Sequence, residues 1–128
     1  MPKTMTNTPK PQHLFVYGTL RDAHPNSKRF GLTSVAKHNA KLMGFNVHNL
    51  GWFPGIVPGE GFVVGDVFHI TDDLIPGLDA YEGVPSLYRR EVHKVGSTNC
   101  YVYVYNGTPP PGSQITDGDW LKTTQAKG

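Results

Sequence analysis

Apolar residues in this chain fall in short bursts punctuated by glycine, proline and aspartate. Leu14-Phe15-Val16-Tyr17 is one burst; it stops at Gly18-Thr19 before Arg21-Asp22 and predicts a short buried strand. Val63 to Ile70 is a second, closed by Thr71-Asp72-Asp73. That closure predicts a helix start, with the aspartates suited to the first turn of a helix running to about Ala80. Pro76 and Gly77 keep that helix short. Tyr101-Val102-Tyr103-Val104-Tyr105 is rich in strand formers and ends at the turn pair Asn106-Gly107. Lys28 to Ala36 predicts another helix or helical turn, capped by Asn26 or Ser27. Leu50 to Gly61, with four glycines and two prolines, predicts a loop, as do residues 107–114. There is no internal repeat. The pattern predicts an α+β fold dominated by short strands.

One charged residue changes this picture. Glutamate is scarce, with only Glu60, Glu82 and Glu91 present, and Glu82 sits in Leu78-Asp79-Ala80-Tyr81-Glu82-Gly83-Val84-Pro85. A carboxylate between apolar shoulders at a turn loses hydration, which raises its pKa and makes it a better base near neutral pH. A turn acid hydrogen-bonded to neighbouring amides is the alternative. The Gly18 exit of the first strand is a second candidate. Glycine lets the chain turn sharply, and successive N–H groups there can form a small anion-binding concavity. The alternative is an ordinary strand-to-loop exit.

Taken together, the segments resemble the γ-glutamylcyclotransferase family, in its AIG2-like and γ-glutamylamine cyclotransferase-like branch. The matching pieces run in order: Tyr17-Gly18-Thr19-Leu20, Trp52-Phe53-Pro54-Gly55-Ile56, and Gly61-Phe62-Val63-Val64-Gly65-Asp66-Val67-Phe68. Leu78 to Gly83 with Tyr88-Arg89-Arg90, Tyr101 to Tyr105, and Gly118-Asp119-Trp120 complete the series, so the resemblance spans roughly residues 13–121. It implies a small, partly closed mixed β-barrel flanked by short helices, with the active site in a cavity at one opening. Residues 39–51 match no recognisable piece of it.

Composition narrows the setting. At 128 residues the chain forms one domain, placed at 13–122, with a disordered tail at 1–12 and a flexible one at 123–128. Net charge is +2, and the only adjacent basic pairs are Lys28-Arg29 and Arg89-Arg90, which argues against a nucleic-acid footprint. Cys100 is alone, so no intrachain disulfide can form, and beside a strand it reads as a packed thiol. No apolar run approaches a membrane span, and residues 1–11 carry no secretory hydrophobic region. A cytoplasmic monomer without membrane or nucleic-acid partners is expected. Six histidines show no metal-ligand spacing, and there is neither a Gly-x-Ser-x-Gly elbow nor a Gly-Lys-Ser/Thr phosphate loop.

The resemblance implies a reaction. In a γ-glutamyl compound the free α-amine attacks its own γ-carbonyl, closes 5-oxoproline and expels the γ-linked amine, with no metal, nucleotide or other cofactor. Glu82 matches the family's catalytic glutamate, and Tyr17, Gly18, Thr19 and Leu20 match its substrate-binding loop. Tyr88 is a candidate for the pocket border, with buried packing as its other reading. Trp52 and Phe53 are candidates for the pocket wall. Asp79 reads as a turn or cap acid, and Arg89 and Arg90 as structural or surface residues. Two other readings stay open: removal of a γ-glutamyl group from a biosynthetic carrier, and a small-molecule binding module without turnover.

Overall fold

The computed structural model describes residues 10–122. The tails expected at 1–12 and 123–128 lie outside the described residues except at 10–12, where the Gln12 carbonyl accepts the Ile70 N–H at 2.9 Å. Five strands form one sheet: β1 (His13–Val16), β2 (Val35–Asn49), β3 (Pro54–His69), β4 (Tyr88–Val95) and β5 (Thr98–Tyr105). Two short helices, α1 (Asn26–Arg29) and α2 (Ile75–Glu82), lie between the strands, α2 being preceded by a 3-10 turn at Asp72–Leu74. The strand order is β2-β3-β1-β5-β4. Every pairing is antiparallel except β1 with β5, where Leu14 stands opposite Tyr101.

Side-chain alternation splits the interior into two layers, because successive residues of a strand face opposite sides. Phe15, Cys100, Val102 and Val104 join one cluster, whereas Leu14, Val16, Tyr101 and Tyr103 join the other. The first cluster is covered by Trp120 and Leu121, and the second by Leu78 of α2 together with Leu32 and Ile70. A sheet buried on both faces accounts for the near-continuous apolar character of β1 and β5. The sheet curls without closing. Its edge strands β2 and β4 share no ladder, but Phe45 of β2 meets His93 of β4 edge-on at 4.9 Å.

Two local expectations change. The loop predicted at 50–61 shrinks to a four-residue link, and β3 begins at Pro54. A proline is tolerated as the first residue of a strand, and Pro58 falls beside the register shift between Met43 and Phe45. Gly59 and Gly61 make room for the Asn46 side chain, whose Oδ1 accepts the Gly61 N–H at 2.8 Å. A Cβ on Gly59 would lie 2.3 Å from Asn46 Nδ2. Residues 39–51, which matched no motif, belong mostly to β2 as the partner of this strand. The helix predicted over 28–36 is a single turn at Asn26–Arg29, and β2 starts by Val35. Helix α2 forms where expected. Pro76 lies in its first turn, where a missing N–H costs nothing, and Gly83 ends it in the left-handed region at φ 70°.

Candidate active site

At the C-terminal end of β1 the chain turns through Gly18, where the Arg21 N–H donates to the Gly18 carbonyl at 3.1 Å. This turn borders a cavity of about 260 Å³. Tyr17, Gly18, Thr19 and Leu20 form one wall, and Phe53 of the β2–β3 link with Pro54 at the start of β3 forms a second. The end of α2 contributes Tyr81 and Glu82, and the start of β4 contributes Leu87 and Tyr88. All six residues expected at the site, Tyr17 to Leu20 together with Glu82 and Tyr88, border this one cavity, although the chain separates the loop from Glu82 by about sixty positions.

Close packing explains the glycine. A Cβ on Gly18 would stand 2.7 Å from Pro54 Cγ and 2.9 Å from Pro54 Cδ, so the two walls touch only because position 18 has no side chain. Among the described residues, no acceptor is found for the N–H groups of Gly18, Thr19 and Leu20. Three unfilled donors on a cavity wall suit an anionic oxygen.

Among the described residues, Glu82 is the only charged one lining the cavity. Its carboxylate makes no hydrogen bond or ion pair with another described residue. Burial without a partner pushes its pKa from the ordinary 4.5 up to about 7. The same desolvation, with Glu82 nearby, pushes the phenols of Tyr17, Tyr88 and Tyr103 well above their usual range, so all three stay neutral. Each of these hydroxyls is committed elsewhere. Tyr17 donates to the Tyr103 carbonyl at 2.6 Å, Tyr88 to the Pro54 carbonyl, and Tyr103 to Asp79 at 2.8 Å.

Glu82 is held from both sides of its turn. Asp79, three residues earlier on α2, accepts Arg90 Nε at 2.9 Å and Nη2 at 3.2 Å. Asp79 is thus an anchor, and Arg90 its structural partner. Beyond the helix, the Leu87 N–H returns to the Gly83 carbonyl at 2.8 Å. The Asn106 side chain donates to the carbonyls of Pro85 and Ser86 at 2.7 and 3.1 Å. Thr19 and Tyr81 share a hydroxyl–hydroxyl bond of 2.7 Å that ties the glycine turn to α2. Of the two wall candidates, Phe53 lines the cavity, whereas Trp52 is 91% exposed outside it.

Sequence reasoning missed one constellation beside this site. Arg21, next after the turn, is 6% exposed and bonds Asp66 through Nε and Nη2, Asp119 through Nη1 and Asn39 through Nη2. Asp66, 2% exposed, also accepts the N–H groups of Asp22 and Asn39. The signal was an aspartate inside an apolar strand run, which a buried partner must answer.

Comparison with known proteins places these features in a lineage. Residues 14–122 match the family described as gamma-glutamyl cyclotransferase, AIG2-like. The Escherichia coli family protein YtfP is 32% identical over 114 residues, covering 84% of this chain and 95% of that one. A Rattus norvegicus protein named gamma-glutamylaminecyclotransferase is 30% identical, covering 80% of this chain and 72% of that one. The solution structure of the E. coli protein superposes with a TM-score of 0.67 at 30% identity, over 88% of this chain and 98% of that one. A Pyrococcus horikoshii crystal structure, 18% identical, shares the fold with a TM-score of 0.76 over 90% of this chain and 94% of that one. The chain belongs to the γ-glutamylcyclotransferase family, in its AIG2-like branch.

Proposed function

We propose that this protein is a γ-glutamyl cyclotransferase in which Glu82 is the general base. The observation that carries the reading is an unpartnered carboxylate, its pKa raised to about 7, sharing one small cavity with three unfilled backbone donors. The donors suit the substrate's α-carboxylate or the oxyanion that develops on the γ-carbonyl. Glu82 takes a proton from the α-ammonium, freeing the nitrogen to attack the γ-carbonyl carbon. The ring C–N bond forms, the bond to the γ-linked amine breaks, and 5-oxoproline departs. Of the three ammonium protons, one stays on the lactam nitrogen and two end on the leaving amine, so Glu82 is regenerated. General base transfer contributes about 10²- to 10⁴-fold. Holding the flexible glutamyl chain curled contributes up to roughly 7–11 kcal/mol, so positioning by the cavity outweighs the proton step.

The test is 5-oxoproline release from a panel of γ-glutamyl amino acids and γ-glutamyl-ε-lysine, with wild type beside Glu82→Gln. Release by wild type and a loss of at least about 100-fold in the variant is expected. Equal release by both proteins removes Glu82 from the mechanism. No release by wild type, with ligand still bound, favours a binding module.

A further inference from the structure

Two carboxylates stand one helical turn apart on α2, and the fold treats them oppositely. Glu82 has no hydrogen-bond or ion-pair partner among the described residues, whereas Asp79 accepts three hydrogen bonds from two side chains. Arg90 of β4 grips both Asp79 oxygens, and the Tyr103 hydroxyl of β5 reaches Oδ1 at 2.8 Å. The Asp79 carbonyl also accepts the Val84 N–H at 3.0 Å, closing the backbone around Glu82. Arg90 is itself fixed, its guanidinium carbon 4.7 Å from the centre of the Tyr101 ring. Residues three apart on a helix are neighbours, with Cβ atoms about 5–6 Å apart. The two acids share one field, because the charges of Asp79, Glu82 and Arg90 all act on the Tyr103 hydroxyl.

An uncompensated anion at position 79 would oppose ionisation of Glu82. An uncompensated cation at position 90 would favour ionisation and make Glu82 a weaker base. Paired bidentately, the two present no net charge to the cavity floor, and desolvation governs Glu82. The other titratable groups facing Glu82 are phenols: Tyr81 of α2, Tyr17 just after β1, Tyr88 of β4 and Tyr103 of β5. Arg89, the adjacent cation of β4, is engaged by Glu91 and Asn106.

Resting on the reading of Glu82 as the base, we propose that Asp79 and Arg90 form one neutral positioning unit, which locks the turn of α2 carrying Glu82 to β4 and β5 and keeps any second charge off the cavity floor. The chain has three glutamates, so protein labelled with carbon-13 at the glutamate carboxyl gives three resonances, and Glu82→Gln identifies that of Glu82. Its titration is followed by NMR in wild type, Arg90→Gln and Asp79→Asn. Arg90→Gln bares an anion and is expected to raise the midpoint by about half a pH unit. Asp79→Asn bares a cation and is expected to lower it by about as much, both shifts being limited by water because the pair is partly exposed. Arg90→Lys keeps the charge but not the fork. Its midpoint is expected to stay near wild type while kcat falls about tenfold at similar KM. Loosened packing alone moves the midpoint in the same direction in Arg90→Gln and Asp79→Asn, or not at all, and either result overturns the proposal. So does an unchanged kcat in Arg90→Lys. If circular dichroism shows that Arg90→Gln does not fold, Asp79→Asn decides, a downward shift supporting the proposal and any other result refuting it. The titration needs no turnover, so absence of 5-oxoproline release by wild type counts against the cyclotransferase reading alone.

Discussion

Because Glu82 is desolvated and unpartnered, its protonation governs stability as well as proposed turnover. Between pH 4.5 and about 7 the folded protein holds a proton that the unfolded chain has released, so stability falls as pH rises through this window. The span from 4.5 to about 7 corresponds to about 3 kcal/mol. Glu82→Gln removes that penalty. It is expected to melt several degrees above wild type at pH 8, with the difference vanishing near pH 4, as followed by thermal denaturation across pH. Wild-type kcat/KM should climb with pH on an acid limb centred near 7, since only the ionised carboxylate accepts a proton. At the facing wall, Gly18→Ala forces a methyl into Pro54. The expected result is a stability loss of about 1–3 kcal/mol with a larger proportional loss of kcat/KM, measured by denaturant melts beside the 5-oxoproline assay.

The elements that carry these residues differ in how openly the sequence announced them. Helix α2 was legible because Thr71-Asp72-Asp73 marks its approach and Gly83 its end, both local signals. The first half of strand β3 was not, because Pro54, Gly55, Pro58, Gly59 and Gly61 ordinarily spell a loop. Only the side chain of Asn46, on the partner strand, explains why two of those glycines belong in a strand. The grip on the Glu82 turn was equally hidden, since Asn106 had read simply as a turn residue. Asn106→Ala should cost only about 0.5–1.5 kcal/mol, because its three side-chain bonds are exposed, yet lower kcat by loosening the turn that carries Glu82. Leu78→Ala on the buried face of α2 should instead cost about 2–5 kcal/mol, measurable by urea unfolding. A larger loss of kcat in Leu78→Ala than in Asn106→Ala would show that the helix face, and not the turn, sets the position of Glu82.

At the scale of the molecule, the ionic knot of Arg21 fastens the exit of the Gly18 turn to β3, to Asn39 and to the C-terminal segment. Its partners lie 45 and 98 positions from Arg21, which is why no local motif disclosed them. Asp66→Ala leaves a buried guanidinium underpaired and is expected to cost about 3–5 kcal/mol in chemical denaturation. No helix among the described residues is long and apolar enough to cross a membrane. The α+β class, the curled sheet and the gathering of Tyr17 to Leu20 with Glu82 were foreshadowed by motif order; the contact of Phe45 with His93 was not, because it joins two edge strands that share no ladder and no local motif discloses it.

The placement of β1 in the middle of the sheet also sets a schedule for synthesis. Its two neighbours are drawn from residues 66–69 and from Tyr101, so β1 leaves the ribosome well before either partner and is late to gain both. Such distant pairings slow folding, since long loops must close before they are rewarded. The glycine turn therefore waits, unsupported, until most of the chain has emerged. A nascent chain halted before β5 already carries Glu82 and the Gly18 turn, but it lacks the strand that pairs with β1 and supplies Tyr103 to the cavity wall.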